Sequence, residues 1–462
     1  MLRFFRHYLH VPAIILAVCE AILLYGLITL FGRTLPSLGG GQELPAVMVT
    51  AAAVAGMSAV GLYNRQHFAE LRHVLGRAVV ALPLVMAAVF AASLVLGGSI
   101  WQLAAAGLLA FLPAMLVLRE AFVRLVDRFG LFRRRVLLLG AGARVAKIDQ
   151  LARDLGDRTF QFVAVGHVGS APATTAVAVD RRQGKRRIDL WIPPADLVRF
   201  CRENRVVEVV VAVPERRGFA LSELLACRLD GIGVTDYASF WERESGQIDL
   251  DEVTPGWLAY ADGFATGRLR AAVKRGVDVA VSLAVLLLTL PITAVTALLI
   301  KLESPGPVFY LQERVGLHGR TFMIRKFRSM RVDAEKNGPQ WAAKGDARVT
   351  RVGAVIRKVR IDEIPQVFNV LAGDMSFVGP RPERPVFVEA LASRIPYYRE
   401  RHLVKPGITG WAQINFPYGA TEEDARRKLA YDLYYVKNGS LFLDLIIILQ
   451  TVKVLLWNEG AR

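Results

Sequence analysis

Two adjacent carboxylates, Asp362 and Glu363, stand between arginines in the stretch RKVRIDEIPQVFNVLAGDMSFVGPRPE, which runs from Arg357 to Glu383. An ionised aspartate brought up to phosphorus can act as a nucleophile, provided that cations mask the repulsion between the two charges. Arg357, Arg360 and Arg381 are the cations nearest in sequence. The apolar run from Ile364 to Leu371, stopped by Gly373, predicts a short helix with Asp362 as N-cap and Pro365 in its first turn. A helix start of that kind favours an ionised carboxylate and a phosphate beside it. The plain alternative is that Asp followed by Glu is ordinary capping without chemistry.

A second pair of cations lies in VFYLQERVGLHGRTFMIRKFRSM, which alternates like two strands around a glycine-containing turn. A period of two places Phe322, Ile324, Lys326 and Arg328 on one face, where the two charges could grip a pyrophosphate or simply be solvated.

The elements that must carry these groups are largely apolar. The chain has 462 residues, 53% of them hydrophobic and 21% charged, with a mean hydropathy of +0.35. That combination excludes an ordinary soluble enzyme and predicts membrane segments joined to soluble domains. A net charge of +17 suits anionic headgroups and phosphate-bearing substrates as well as the basic loops of any membrane protein, and no nucleic acid partner is expected. The three cysteines, Cys19, Cys201 and Cys227, lie far apart and form no CxxC. Neither a disulfide framework nor a zinc site is expected, and the soluble parts are read as cytoplasmic.

Four apolar runs, roughly 11 to 31, 44 to 63, 78 to 97 and 100 to 118, are each near the ~20 residues that cross a bilayer as helix. The first lacks a small-residue cleavage site and is read as a membrane helix rather than a signal. Arg3 and Arg6, then Arg65, Arg72 and Arg77, then the cluster from Arg119 to Arg135 place both ends of the bundle in the cytoplasm; only Arg33 falls on the other side. From Arg135, RVLLLGAGARVAKIDQLARD reads as strand, glycine turn and helix, opening a Rossmann-like domain with further strands at 160 to 168 and 206 to 213 and helices at 195 to 203 and 219 to 230. Gly140 and Gly142 fit a dinucleotide fingerprint, but Val145 occupies the third small position and no clear acid ends the second strand. No cofactor is therefore assigned to this domain.

The run from Val279 to Ile300 is long enough to cross a bilayer, yet Arg268, Arg270, Lys274 and Arg275 precede it and Lys301, Arg314, Arg320, Arg325 and Lys326 follow it. Both flanks prefer one side of the membrane. Pro291 lies within the run, with Thr289 and Thr293 near enough to satisfy freed carbonyls, so residues 274 to 303 are either a kinked spanning helix or a hairpin. KPGITGWAQIN, from Lys405 to Asn415, reads as a turn leading to an aromatic and an amide. LFLDLIIILQTVKVLLW, Leu441 to Trp457, reads as an interfacial or a core helix, the interface being preferred for Trp457 at its end.

The string DEIPQVFNVLAGDMSFVGPRP, with KFRSM at Lys326 to Met330 and KPGITGWAQIN, resembles the signature of the bacterial sugar transferases, which load a sugar-1-phosphate onto a polyprenyl phosphate. The resemblance covers the last 190 residues or so, and the preceding part is similar to the large form of that family. It implies a membrane protein of α plus α/β class. The expected parts are four transmembrane helices (1–132), a Rossmann-like domain (133–250), a linker (251–267) and a monotopic phosphoglycosyl transferase domain (268–462) with a re-entrant helix at about 274–303. It implies transfer of a hexose-1-phosphate from a UDP-sugar to undecaprenyl phosphate at the bacterial inner membrane, as the first step of exopolysaccharide synthesis, through an aspartyl-phosphosugar intermediate. Asp362 would be the nucleophile. Glu363, with Asp362, would hold Mg²⁺, while Arg357, Arg381, Lys326, Arg328 and Arg348 would bind phosphates; Asp346 and Arg351 belong to the same pattern. Membrane lipids are expected partners and a homodimer is left open. UDP-glucose is expected among the best donors. Many family members continue the 405–415 loop with Gly-Arg, whereas this chain has Phe416, Pro417, Tyr418 and Gly419, which makes that segment the candidate sugar-facing loop.

Two rival readings belong to other classes. A membrane-tethered NAD-dependent epimerase or dehydratase would need proton-transfer groups in the Rossmann-like domain, but no Tyr-x-x-x-Lys occurs within 136–245. A non-enzymatic scaffold for polysaccharide export is separated from the transferase by an activity assay.

Overall fold

The computed structural model describes residues 2–4, 7–9, 11–34, 43–63, 71–96, 100–130, 132–154, 160–167, 189–191, 196–213, 221–256, 267–332, 334, 348–416, 419 and 421–457. Asp346, Pro417, Tyr418 and most of the linker lie outside them. The chain forms two compact units, one of Met1–Leu2, Tyr8–Val54 and Leu62–Asp249, the other of Arg3–His7, Ala55–Gly61 and Leu250–Arg462.

Two short strands, β1 (Leu2–Phe4) and β2 (His7–Leu9), pair with each other ahead of the first helix. The four apolar runs form helices α1 (Val11–Thr34), α2 (Glu43–Ala59), α3 (Leu71–Leu96) and α4 (Ile100–Phe129). Both α1 and α3 pack on α4. Helix α4 runs eleven residues past the expected end at 118, because its polar extension, from Arg119 on, continues a helical face that still buries Val126. Among the described residues, Val11–Thr34 and Trp101–Phe129 of this unit are long and apolar enough to cross a membrane, whereas Pro45–Ala59 and Val74–Ala87 are apolar but shorter. A buried ion pair ties α1 to α4: Arg119 donates to both oxygens of Glu20, at 2.5 and 3.0 Å, and Tyr63 donates to Glu20 Oε2 at 2.7 Å. In apolar surroundings such charges persist only when paired.

The α/β part of this unit is a five-stranded parallel sheet. Its strands are β3 (Arg134–Leu139), β4 (Phe160–His167), β5 (Asp189–Trp191), β6 (Glu208–Val211) and β7 (Gly233–Asp236), in the order β5-β4-β3-β6-β7. Val136 to Leu139 of β3 are all buried, as a central strand covered on both faces requires. Helices α5 (Ala143–Asp154) and α8 (Tyr237–Ser245) cover one face, and α6 (Leu197–Glu203) and α7 (Leu221–Leu229) the other. Gly140 is obligatory, since its φ is +145° and a Cβ there would sit 2.7 Å from the Ala212 carbonyl carbon.

The second unit begins with α9 (Arg268–Glu303), 36 residues without an interruption. In its apolar middle no residue from Leu283 to Val295 is buried, though Val285, Leu286, Thr289 and Thr293 are half-buried. Its two ends are both held by the same body. Arg275 donates to the carbonyls of Val370 and Leu371, and buried Asp278 accepts from Ser376 Oγ and from the Phe377 amide, at 3.0 and 2.9 Å. At the other end Ile300 packs on Phe327 and Ile356. Pro291 removes the amide that would bond the Leu287 carbonyl. The threonines bond elsewhere than expected: Thr289 donates to Val285 O and Thr293 to Leu290 O, each bonding back along its own turn.

The expected strand pair is β8 (Phe309–Val315) against β9 (Thr321–Phe327), antiparallel, with Tyr310 opposite Lys326. It is followed by α10 (Arg351–Lys358), a 3-10 turn over Ile361–Gln366, α11 (Val367–Ala372), β10 (Ser376–Val378), α12 (Pro385–Ala392), β11 (Gly407–Thr409), α13 (Trp411–Asn415), α14 (Glu422–Asn438) and α15 (Leu441–Trp457). Strands β10 and β11 run parallel and very close where the GPRP and KPGITGW strings meet. A Cβ on Gly379 would collide with the Lys405 carbonyl, and one on Gly410 with the Gly379 carbonyl. These glycines let two loops touch backbone to backbone beside the acidic pair.

Candidate active site

The acidic pair is presented by a turn rather than by a helix cap. Glu303, the last residue of α9, accepts from the amides of Arg351 and Val352 at 2.7 and 3.1 Å, and Thr350 Oγ1 caps Gly353, so α10 starts from a fixed point. Helix α10 ends at Lys358, and Arg360 takes a left-handed φ of +60°. Such a φ is uncommon outside glycine, and it reverses the chain into the 3-10 turn that carries Asp362 and Glu363. The expected cap is thus corrected: Asp362 lies inside the turn, its side chain caps nothing, and α11 starts five residues later with Gln366 before it. Pro365 fits because it sits in a 3-10 turn, and Gly373 ends α11 at φ +95° as its position predicts.

Charge around the pair comes from side chains on three elements. Strand β9 lies against the turn and brings Lys326 Nζ to 2.9 Å from Glu363 Oε1. Arg381, after β10, places Nη2 2.6 Å from the same oxygen, and Arg360 Nη1 stands 4.0 Å from Oε2. The two carboxyls are driven in opposite directions. Burial, with Glu363 adding to it, pushes Asp362 up to about 6 against the pull of Lys326, Arg360 and Arg357. Burial also opposes ionisation of Glu363, but Arg381 and Lys326 outweigh it and hold that carboxyl well below the usual range. Glu363 is a permanent anion. Asp362 Oδ1 is buried and accepts no hydrogen bond from the described residues.

Not every residue singled out from sequence gathers here. Lys326 and Arg381 touch Glu363, and Arg357 contributes charge at Asp362. Arg328 does not share their face. Strand β9 ends at Phe327, which is buried together with Arg328, so the period of two breaks there. The Arg328 guanidinium turns to the end of α9, donating to Pro305 O at 2.7 Å, Ser304 O at 2.8 Å and Ile300 O at 3.4 Å, and so satisfies carbonyls that a helix end leaves open. Arg348 lies at the bridge between Met330 and Val349 and donates to Ala334 O at 2.9 Å.

Beside Glu363 lies a cavity of about 370 Å³. Its lining combines apolar residues such as Val285 of α9, Ile408, Ile414 and Val454 of α15 with Glu363, Arg381, Arg401 and Lys428. Asp362 borders it through its neighbours and does not line it. Phe416 does line it, and Lys428 Nζ donates to Gly419 O at 2.7 Å, at the far end of the candidate sugar loop. Sequence reading missed Arg401, which is 5% exposed and ion-paired with Asp432 at 2.7 Å while donating to Tyr398 Oη and to the Arg381 carbonyl. That last bond fixes the backbone of a phosphate-binding candidate. The only sequence signal was an acid, Asp432, on the otherwise apolar face of α14, which implies a buried partner.

A helix long and apolar enough to cross a membrane and a buried carboxyl pair among four basic residues, beside a cavity, are the setting of a membrane protein that handles anionic, phosphate-bearing molecules. Residues 269–458 match the family model for the bacterial sugar transferases. The chain is 34% identical over 366 residues to the UDP-glucose:undecaprenyl-phosphate glucose-1-phosphate transferase of Xanthomonas campestris pv. campestris, covering 76% of this chain and 72% of that one. It is 46% identical over 239 residues to the UDP-N-acetylgalactosamine-undecaprenyl-phosphate N-acetylgalactosaminephosphotransferase of Aeromonas hydrophila, covering 52% and 56%. Over 274 residues it is 43% identical to the undecaprenyl-phosphate glucose phosphotransferase of Komagataeibacter xylinus, covering 58% and 52%. The chain therefore spans about half the length of the latter two. It belongs to the bacterial sugar transferase family.

Proposed function

We propose that this enzyme transfers a hexose-1-phosphate from a UDP-hexose to undecaprenyl phosphate, giving undecaprenyl diphosphate hexose and UMP, as the first step of exopolysaccharide synthesis. The observation that carries the reading is the split between two neighbouring carboxyls, one locked by Lys326 and Arg381, the other buried with a free oxygen. Asp362 Oδ1 attacks the sugar-bearing phosphorus, an O–P bond forms, and the bridging P–O bond breaks with its electron pair leaving on UMP. An oxygen of the lipid phosphate then attacks the same phosphorus and returns the electron pair to the Asp362 carboxylate. In this reading Arg381 and Lys326 hold equatorial phosphate oxygens, where positioning and charge supply most of the rate.

A divalent cation fits the donor set. Among the described residues Asp362 Oδ1 accepts no hydrogen bond, and Arg360 Nη1 stands 4.0 Å from Glu363 Oε2. Mg²⁺ usually takes one or two carboxylates and completes its shell with phosphates and water, so the pair suffices. When bound, the ion neutralises the diphosphate and its leaving oxygen.

The apolar residues that line the cavity, among them Val285 of α9 and Val454 of α15, suit the isoprenyl end of the acceptor, and Arg381 suits its phosphate. We infer that α9 bends at Pro291 so that both ends meet the cytoplasm. Asp278 and Ile300, about 33 Å apart along a straight helix at 1.5 Å per residue, are both held by one body, while no residue from Leu283 to Val295 between them is buried. The four N-terminal helices are proposed as a cytoplasm-in bundle of the bacterial inner membrane, and the sheet domain as a structural or regulatory module without a nicotinamide cofactor. The test is incubation of purified enzyme in lipid with undecaprenyl phosphate, Mg²⁺ and UDP-glucose, UDP-galactose or UDP-N-acetylgalactosamine. UMP release that needs the lipid supports the reaction. Its absence with every donor refutes it.

A further inference from the structure

The segment ahead of the first helix contains His7, which the transferase chemistry does not use. His7 is 8% exposed and lies in the second unit. Its Nδ1 and the Tyr434 hydroxyl are hydrogen-bonded at 2.9 Å. Its ring stands edge-on to Trp411 at 5.3 Å and to Tyr434 at 6.0 Å, and those two rings stack on each other at 5.7 Å. The three form a closed aromatic cluster of residues from distant parts of the chain. Trp411 is the first residue of α13, and the next three residues, Ala412, Gln413 and Ile414, line the cavity beside Glu363. Tyr434 stands on α14, which supplies Lys428 and Asp432 to the same cavity.

Helix α13 has only five residues and no side-chain cap at its start. A single turn of that length does not hold itself together, because one or two hydrogen bonds do not offset the cost of nucleation. Its place is therefore set by its contacts, among them the Gln413 bond to Ile408 O, the stack of Trp411 on Tyr434 and the ring of His7 against both. Aromatic pairs in this edge-on geometry add directionality to burial, and the hydrogen bond fixes the rotation of the imidazole.

We propose that His7 is a positioning residue for substrate binding: the N-terminal segment acts as a strap that holds Trp411 on Tyr434 and so sets the α13 wall of the cavity. This rests on the reading of that cavity as the acceptor site. Burial holds the imidazole down to about 4, so the strap stays neutral and seated across the physiological range.

The test uses the full-length protein in lipid, with undecaprenyl phosphate and whichever UDP-sugar the unaltered enzyme turns over fastest. His7→Ala should raise the KM for undecaprenyl phosphate about three- to tenfold and leave kcat within about twofold. His7→Asn, whose side-chain amide can take the place of Nδ1, should recover part of that KM. Tyr434→Phe should move the same KM, and His7→Ala combined with Tyr434→Phe should be no worse than the weaker single variant. A rise in KM for the UDP-sugar instead would support the strap and overturn the acceptor assignment of the cavity. An unchanged KM for both substrates would overturn the proposal, whether kcat is normal or falls with the folded fraction.

Discussion

Replacing Asp362 by Asn should stop transfer and at the same time make the protein more stable at neutral pH. The carboxyl is 9% exposed, and burial, aided by Glu363, raises it from 3.8 to about 6. Below pH 3.8 the group is neutral in both folded and unfolded chains and costs nothing. Between 3.8 and 6 the unfolded chain ionises while the folded one stays protonated, so stability falls as pH rises; above 6 the penalty is complete. The gap is roughly two pH units at ~1.4 kcal/mol each, on the order of 3 kcal/mol. Asn keeps the shape, cannot ionise and so avoids that penalty. The gain should vanish towards pH 4. The assay is a thermal midpoint in detergent across pH 4 to 8, read beside UMP release; for a unit of this size a few kcal/mol moves the midpoint by several degrees, on the order of 2 to 4 °C per kcal/mol. In the unaltered enzyme the rate should fall about tenfold per pH unit below 6, because only the ionised carboxylate attacks. A variant that is less stable than the parent at pH 7.5 would refute the electrostatic reasoning, and near-normal turnover by it would refute the nucleophile.

Glu363→Gln should go the other way, lowering the midpoint at pH 7.5 by the equivalent of about 3 kcal/mol, since it strands Lys326 and Arg381 beside an uncharged amide; an unchanged midpoint would mean the pairs are not formed. Arg381→Ala should cut kcat by roughly 10²- to 10³-fold as a lost phosphate donor, whereas Arg328→Met should lower the midpoint and leave the KM for the UDP-sugar unchanged, because its partners are the Pro305 and Ser304 carbonyls. A raised KM with a normal midpoint would return Arg328 to the substrate. In a background lacking Cys19, Cys201 and Cys227, single cysteines in place of Ala272 and Leu302 should both resist an impermeant thiol reagent applied to intact cells; labelling of one alone would show that α9 spans. Purified enzyme should need no added NAD, and a requirement for it would reassign the Gly140 turn.

Where side chains repeat with a period, the sequence was readable. The buried run of β3, the alternation of β8 and β9, and the apolar helices follow from spacing alone, and Gly373 ends its helix for the reason that its lack of a Cβ predicts. The acidic pair was legible as a pair, but its setting was not. Propensity reads Asp-Glu-Ile-Pro as a capped helix because it sees four residues at a time, whereas the turn is made by Arg360 in a left-handed conformation that β9 and α10 hold from outside. Nothing local marks an arginine for φ +60°.

The same limit explains the divided fate of Lys326 and Arg328. A strand puts them on one side only while it remains a strand, and β9 ends between them at Phe327, where the chain leaves its partner to pass the end of α9. One residue of strand length decides whether the second cation meets the substrate or a set of helix carbonyls. Arg401 shows the reverse case. It has no periodic signature, yet its pairing with Asp432 and its bond to the Arg381 carbonyl fix the residue that does face the cavity. A buried acid such as Asp432 on a core-facing helix position implies a cation somewhere, but only the fold says which one. Arg381 is therefore positioned from both ends, by Arg401 at its backbone and by Glu363 at its guanidinium. A substrate phosphate that approaches Arg381 must compete with Glu363 for it, so donor binding should loosen the very pair that keeps Glu363 ionised and leave that carboxylate open to a cation.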